Sequence, residues 1–332
     1  MNVLKLFRRA AIFLCMPVFA FVVVPPRASA QWRATVGAQS KSLGHQALAF
    51  LPNEIWIHAG DSVTWTSAVD EIHTVTFLKS GQVRLPFQVG CPGFSLAASA
   101  SFDGSTCLTT PPLVKGQKFT VTFPTAGNFK LVCLVHENMT GVVHVLDFSQ
   151  QLPHSQDFYD NQTVDQREAL LSDDDSDNEH EHHNSHNTLT DRNAVATGGG
   201  EIIATGGGSQ TLSIMRFMDS AKVIHVGDTV EWTNLDPVTP HTITFGVEPQ
   251  NPVPPVNAIL DSDGALHGTI NSSTDSVHSG LIGAAPQDQL FLPMTPLSVT
   301  RFRVTFTHAG VFPYICALHD GLGMKGKITV LP

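Results

Sequence analysis

Short stretches in which apolar and polar residues alternate recur along this chain, separated by Gly, Pro, Asn and Asp. Ile55-Trp56-Ile57, Val63-Thr64-Trp65 and Phe119-Thr120-Val121-Thr122-Phe123 place large side chains two residues apart, the period of a strand that buries one face. On this pattern strands are expected over 32–36, 44–50, 119–123, 129–133 and 142–146. A hairpin is expected from 55–57, through the turn Ala59-Gly60-Asp61, into 63–65. Later strands are expected over 212–217, 223–226, 229–233, 299–306, 311–316 and 327–330. Two long segments, 79–112 and 248–290, carry Gly, Pro and Ser throughout and read as inserted loops. Many short strands joined by turns make an all-β sandwich.

The pattern occurs twice. Phe119, Val121, Phe123, Ala126, Gly127 and Phe129 recur 183 positions later as Phe302, Val304, Phe306, Ala309, Gly310 and Phe312. Gly60, Asp61, Val63 and Trp65 recur 167 positions later as Gly227, Asp228, Val230 and Trp232. A repeat of roughly 110 to 130 residues is a whole domain, too long for the unit of a solenoid. The expected organisation is a leader over 1–30, a first domain over 31–147, a linker over 148–197 and a second domain over 198–332. Inside the linker a helix is expected over 157–171, capped by Ser155, with Phe158, Val164 and Leu171 near a helical period. Residues 172–190 are acidic and His-rich and cannot bury a core, so disorder is expected there.

Each repeat carries the same donors. Cys133, His136 and Met139 share one short loop, and Cys316, His319 and Met324 share the other. A thiolate, an imidazole and a thioether, joined by a second imidazole, are the set that a mononuclear copper electron-transfer site requires. His73, in Ile72-His73-Thr74-Val75-Thr76-Phe77, and His241, in Pro240-His241-Thr242-Ile243-Thr244-Phe245, are the candidates for that second imidazole.

These residues together resemble the plastocyanin-like cupredoxins, whose copper is held by one upstream His and by the Cys, His and Met of a single loop. The loop Cys316-x2-His319-x4-Met324 has plastocyanin-like spacing, whereas Cys133-x2-His136-x2-Met139 is two residues shorter and amicyanin-like. The resemblance covers nearly all of 40–146 and 210–331. It implies two Greek-key cupredoxin sandwiches with two type 1 copper sites. It also implies that His136 and His319 reach the surface as electron ports through apolar patches, made by Leu134 and Val135 in the first domain and by Pro240, Ala317, Leu318 and Leu322 in the second. A core Cys with His and Met nearby by accident would account for one such loop, but not for two with the same flanking strands.

Composition and charge narrow the setting. Of 332 residues, 42% are hydrophobic and 14% charged, enough to build a core in each of two domains. Lys5, Arg8 and Arg9 precede an apolar run over 10–24 and the small-residue pattern Ala28-Ser29-Ala30, which reads as an export signal cleaved before Gln31. The alternative, an uncleaved anchor, needs about 20 apolar residues, and this run is shorter; no membrane span is expected after cleavage. The remaining chain has 15 basic against 29 acidic residues, a balance that argues against nucleic acid as a partner. Cys15 leaves with the signal and Cys133 and Cys316 are candidate ligands, so Cys91 and Cys107 remain as a disulfide pair in an exported protein. A second metal site on those two thiols is the rival reading, and no His-Cys cluster surrounds them. His180, His182, His183 and His186 stand among carboxylates and either gather Cu²⁺ or Zn²⁺ or belong to a solvated tether; the pattern is compositional and the tether is preferred. Gly198-Gly199-Gly200 and Gly206-Gly207-Gly208 are no phosphate cradle, since no Gly-Lys-Ser/Thr follows.

The expected function is electron transfer by a periplasmic or secreted protein between a redox protein donor and a redox protein acceptor. The two-domain nitrite reductases and small multicopper oxidases carry a His beside the ligand Cys or paired His-x-His strands. Here the neighbours are Val132 and Ile315, so an enzyme is not expected. His58, His144, His225 and His308 are the residues from which an interdomain catalytic site would have to be built, and they read as strand-end surface residues. A copper-binding protein of homeostasis, with the His-rich linker collecting metal, is the alternative from another class.

Overall fold

The computed structural model of the chain describes residues 28–84, 91, 93–172, 193–283 and 299–332. The apolar run of the expected signal and the His-rich stretch around His180, His182, His183 and His186 lie outside these residues. The first half contributes β1 (Gln31–Gln39), β2 (His45–Leu51), β3 (Glu54–His58), β4 (Ser62–Ser67), β5 (Thr76–Phe77), β6 (Gly93–Phe94), β7 (Ser99–Ser101), β8 (Leu108–Thr109), β9 (Lys118–Thr122), β10 (Gly127–Val132) and β11 (Thr140–Leu146). Helix α1 (Gln156–Leu171) follows. The second half repeats the series as β12 (Ala194–Thr205), β13 (Gly208–Met218), β14 (Ala221–His225), β15 (Thr229–Asn234), β16 (Thr244–Phe245), β17 (Ala258–Leu260), β18 (Leu266–Ile270), β19 (Val277–His278), β20 (Arg301–Phe306), β21 (Gly310–Ile315) and β22 (Lys325–Leu331).

Alternation builds two sandwich cores, each centred on a buried Trp. Trp65 (β4) and Trp232 (β15) are 1% and 0% exposed, and each is packed edge-on by a Phe, Phe77 at 5.3 Å and Phe245 at 5.6 Å between ring centroids. The expected hairpin at 55–65 is not formed. β3 pairs with β11 in one sheet and β4 with β1 and β9 in the other, so the turn at Gly60 (φ 92°) carries the chain across the sandwich. Both strands have one apolar face, and alternation alone does not say whether two such faces lie side by side or opposite one another.

The two halves share a sheet. One eleven-stranded sheet runs β17-β18-β20-β15-β12-β13-β2-β1-β4-β9-β7, and its central junction is antiparallel pairing of β2 with β13. Each half has a bulge in its first strand, at Gly37 between Val36 and Ala38 and at Gly198 between Thr197 and Gly199. Past the bulges Ala38 faces Ala47 and Gly199 faces Ile214, which makes Ala47 the counterpart of Ile214 and Gln46 the counterpart of Ser213. Across the junction Gln46 pairs with Ser213, Ala47 with Leu212 and His45 with Ile214. Counterparts therefore meet at Gln46 and Ser213, and contacts are reciprocal on either side, the property of an isologous interface. Side chains bolt the junction: Ser209 N donates to Thr140 Oγ1 (2.8 Å), the Asn53 amide bonds the Thr205 hydroxyl, and Arg216, anchored on Leu322 O (2.7 Å) in its own half, donates across to Ser42 O (2.6 Å).

β12 begins at Ala194, inside the span assigned to the linker, and the two glycine triplets are its bulge and the turn into β13. Helix α1 is capped by Ser155, whose side chain accepts from Phe158 N. It buries a different face from the one read in the sequence: Tyr159 and Leu170 are buried, while Phe158 and Val164 are exposed. Tyr159 packs edge-on to Trp32 (5.9 Å) and its hydroxyl accepts from Trp56 N (2.9 Å), and Leu170 joins Ala38, Ala47, Ala49 and Leu51. Among the described residues no helix is long and apolar enough to cross a membrane.

Candidate metal centres

At one end of each sandwich a buried thiol meets two imidazoles. In the first half Cys133 Sγ lies 4.0 Å from His73 Nδ1 and 3.9 Å from His136 Nδ1, and the two Nδ1 atoms are 3.1 Å apart. In the second, Cys316 Sγ lies 3.9 Å from His241 Nδ1 and 3.4 Å from His319 Nδ1, with 3.0 Å between the nitrogens. A point equidistant from the three donors is roughly 2 Å from each in both triangles, the length of a metal–imidazole bond. Met139 and Met324 are fully buried in the same clusters as their cysteines, and their carbonyls accept from Cys133 N (3.0 Å) and Cys316 N (3.1 Å).

The local folding follows from the loops. β10 ends at Val132 and β21 at Ile315, each delivering the next residue, the cysteine, to the sandwich end. The short first loop turns back through Asn138 in the left-handed region (φ 55°), and the longer second loop through the single 3-10 turn Asp320–Leu322 and Gly323 (φ 91°). Arg84 ties the first loop down from outside, donating to Cys133 O (2.9 Å) and Leu134 O (2.6 Å). Thr74 and Thr242, the residues after the upstream histidines, hold strand and loop together: Leu134 N donates to Thr74 Oγ1 (2.8 Å) and Ala317 N to Thr242 Oγ1 (2.7 Å). Their own amides point at the sulfurs, Thr74 N at 3.4 Å from Cys133 Sγ and Thr242 N at 3.3 Å from Cys316 Sγ.

The electrostatics favour thiolates. Burial opposes ionisation of Cys133, but hydrogen bonds and charge from His136 and His73 outweigh it and hold the thiol well below its usual pKa. Cys316 is held down in the same way, by His319 and His241 against burial. Burial pulls His136 down, yet Cys133 and Glu71 raise it to about 9; His241 is raised to about 9 by Asp236 and Cys316 against the same penalty. A thiolate beside two inward-facing imidazole nitrogens is a soft, compact donor set, and it suits a copper ion.

A family model described as copper binding proteins, plastocyanin/azurin family, matches residues 38–146 and 204–331. The chain belongs to this family. The family binds copper, and the two His-Cys-His clusters of this cupredoxin fit two type 1 copper sites. Solved structures similar to it include a reduced amicyanin variant, 22% identical over 35% of this chain and 82% of that one with a TM-score of 0.24. Amicyanin from Paracoccus versutus is 21% identical over 37% of this chain and 86% of that one, with the same TM-score of 0.24.

Two features differ from what the cupredoxin resemblance implied. His136 and His319, expected at the surface, are 2% and 3% exposed. The isologous junction turns the two loops toward each other, and Glu71 stands between them, Oε1 3.2 Å from His136 Nε2 and Oε2 3.6 Å from His319 Nε2. Burial raises the Glu71 carboxyl, but His319 and His136 bring it down to about 2. The expected patches likewise combine: Val135, Pro240, Leu318 and Leu322 line a single cleft of about 680 Å³ between the halves, together with both histidines. Leu134 is not part of it, being buried against Leu78 and Val132.

The remaining candidates lie elsewhere. Cys91 and Cys107 are disulfide-bonded, with Cα atoms 5.7 Å apart. His58 Nε2 contacts Gln150 O (2.8 Å), and His144 lies between Asn128 and Glu54; neither joins a metal cluster. His225 and His308 are exposed. Sequence reading missed Glu71, Thr74, Thr242 and the bulge glycines. A Cβ at Gly37 (φ 72°) would press on His73 Nε2 and Val69, and one at Gly198 (φ 69°) on His241 Nε2 and Asp236. A lone glycine within an alternating strand was the available signal at Gly37, whereas Gly198 stands in a triplet.

Proposed function

We propose that this chain is an exported blue-copper electron-transfer protein, with His73, Cys133, His136 and Met139 holding one copper and His241, Cys316, His319 and Met324 the other. The observation that carries the reading is the pair of equivalent donor triangles, each made of one buried Cys Sγ and two His Nδ1. Copper bound there would supply a one-electron couple, and two imidazoles, a thiolate and a thioether would suit both of its oxidation states.

The chain's own residues do the rest. Thr74 and Thr242 fix the thiolates, the bulge glycines let the upstream imidazoles approach β1 and β12, and the surrounding core excludes water. Donors that are 0 to 3% exposed leave little room for a substrate at the metal, which favours electron transfer over catalysis. A redox protein donor and acceptor would approach the mouth of the cleft, where Ile72 and Leu318 are 39% and 40% exposed. The leader over 1–30 and the Cys91–Cys107 disulfide support a periplasmic or secreted location.

Metal analysis and the visible spectrum of the oxidised protein test this. Two coppers per chain and an intense thiolate band are expected, halved in Cys133→Ser or Cys316→Ser and lost in the double variant. A single copper that survives one of those changes undisturbed would show that one cluster is not a site. A catalytic current with nitrite or oxygen would replace the electron-transfer reading with an enzymatic one.

A further inference from the structure

Glu71 has no counterpart. The position two residues before the upstream histidine is Glu71 in the first half and Thr239 in the second, where the hydroxyl bonds Ser213 Oγ at 3.1 Å. At a reciprocal interface this leaves one carboxylate between two equivalent imidazoles. Glu71 is 7% exposed and the imidazoles are 2% and 3% exposed. Taking a carboxylate out of water costs several kcal/mol unless it is paired, and an apolar side chain would fill such a place at lower cost. Packing therefore does not account for Glu71, whereas its two contacts do.

Those contacts complete a path from one thiol to the other. Cys133 Sγ is 3.9 Å from His136 Nδ1, and across that ring Nε2 is 3.2 Å from Glu71 Oε1. Glu71 Oε2 is 3.6 Å from His319 Nε2, and across this second ring Nδ1 is 3.4 Å from Cys316 Sγ. We propose that Glu71 is a shared positioning residue that couples the two metal centres, orienting both loop imidazoles and making the charge of one centre felt at the other. The proposal rests on the reading of both clusters as copper sites.

The physical reason is competition for one acceptor. An imidazole whose Nδ1 is committed to a metal presents its Nε2–H outward, and the carboxylate that receives it sets ring orientation and ligand basicity. Added positive charge at one centre strengthens the pull of its Nε2–H on Glu71. The two contacts already differ in length, and a carboxylate drawn to one ring supports the other less well. Oxidising either centre thus makes oxidising the second harder, a coupling free energy that is reciprocal by linkage.

The test is a redox titration of the copper-loaded full chain, followed by visible absorption and electron paramagnetic resonance after copper content has been measured. Wild type, Cys316→Ser, Glu71→Gln and the Glu71→Gln/Cys316→Ser double variant form a cycle. Asp70→Asn removes the same charge from an exposed neighbour in the same cleft. Silencing the second centre should change the reduced-to-oxidised ratio of the first at fixed potential by at least tenfold, about 59 mV for a one-electron couple. That change should fall below threefold in the Glu71→Gln background and persist in Asp70→Asn. Glu71→Gln alone should shift both centres toward the reduced state. Coupling that survives Glu71→Gln, or a shift confined to one centre, overturns the proposal while leaving two copper sites intact. Fewer than two coppers in wild type overturns the underlying reading and the proposal with it. Should Glu71→Gln bind copper poorly, Glu71→Asp serves instead: one methylene shorter, it reaches one ring only, so one centre should keep its potential and the other should move. Equal shifts at both centres, or none, count against coupling through Glu71.

Discussion

The two clusters share donors but differ in what stands behind the upstream imidazole. In the first half the apolar side chain of Val69 packs there, and no carboxylate faces His73 Nε2 among the described residues. In the second half the same place is taken by Asp236, fully buried, with Oδ2 3.5 Å from His241 Nε2. Oδ1 of Asp236 is held by Val238 N (2.9 Å), Thr239 N (2.7 Å) and Ser213 Oγ (3.2 Å), so the carboxylate cannot swing away. A carboxylate behind a ligand imidazole raises its basicity and favours the more positive state of the site. Identical ligands can therefore sit at different potentials, the second centre below the first.

The bulges offer the largest disturbance to this comparison. Gly198→Ala places a Cβ against His241 at a backbone angle that costs an L-residue roughly 1–2 kcal/mol, with a further ~1–3 kcal/mol for the collision. Copper at the second centre should be lost and the thiolate band halved, while Gly37→Ala should do the same to the first. Metal content with both bands intact in either variant would show that the glycines are not needed.

Only the first half has a disulfide. Its chain entropy is worth about 3 kcal/mol, so reduction, or Cys91→Ser with Cys107→Ser, should lower the unfolding temperature of the first half and leave the second half's transition unchanged. Calorimetry at fixed copper content would reveal whether the two move together instead.

Asp236→Asn probes the contrast most directly, because the amide keeps an acceptor at Oδ1 and loses the charge. The second centre's reduced-to-oxidised ratio at fixed potential should rise on the order of tenfold, about 59 mV, with the first centre unmoved. A shift in the opposite direction would mean that the wrong site had been assigned the lower potential.

The smallest effect concerns pH. Thr76 pairs with Thr109 through hydroxyls 2.6 Å apart, and the corresponding pair in the second half is Thr244 with His278, 2.8 Å from Oγ1 to Nδ1. Burial holds His278 below its usual value of 6.5. As pH falls through 6.5 the unfolded chain takes up a proton that the native imidazole refuses, so stability that is full above that value declines toward the lowered native pKa. His278→Thr should flatten this slope in chemical denaturation of the second half; an unchanged slope would place its origin elsewhere.

Much of this was legible in the sequence where chemistry is local. The Cys, His and Met of each loop, the repeated Trp65 and Trp232, and the pairing of Cys91 with Cys107 all follow from short spacings or from counting. What escaped depends on contacts between distant segments. Glu71 and His319 are 248 positions apart, and nothing near either predicts that they meet. The burial of His136 and His319 follows from the junction of β2 with β13, which no pattern within one half contains. β12 was hidden because Gly198, Gly199 and Gly200 mask its alternation, and α1 buries Tyr159 rather than Phe158 because Trp32 and Trp56 wait on that side.

The meeting of Gln46 with Ser213 has one more consequence, for how such a chain holds together as an assembly. A first half made alone would leave β2 as an open edge, a template for pairing with another strand. Two copies would be able to close it on themselves, Gln46 against Gln46, in the register that Ser213 occupies here. The continuous chain then acts as a tether between two protomers of a built-in dimer. By making the partners unequal, it permits Glu71 on one side and Thr239 on the other, a single charge at a place where a true homodimer would have to bury two.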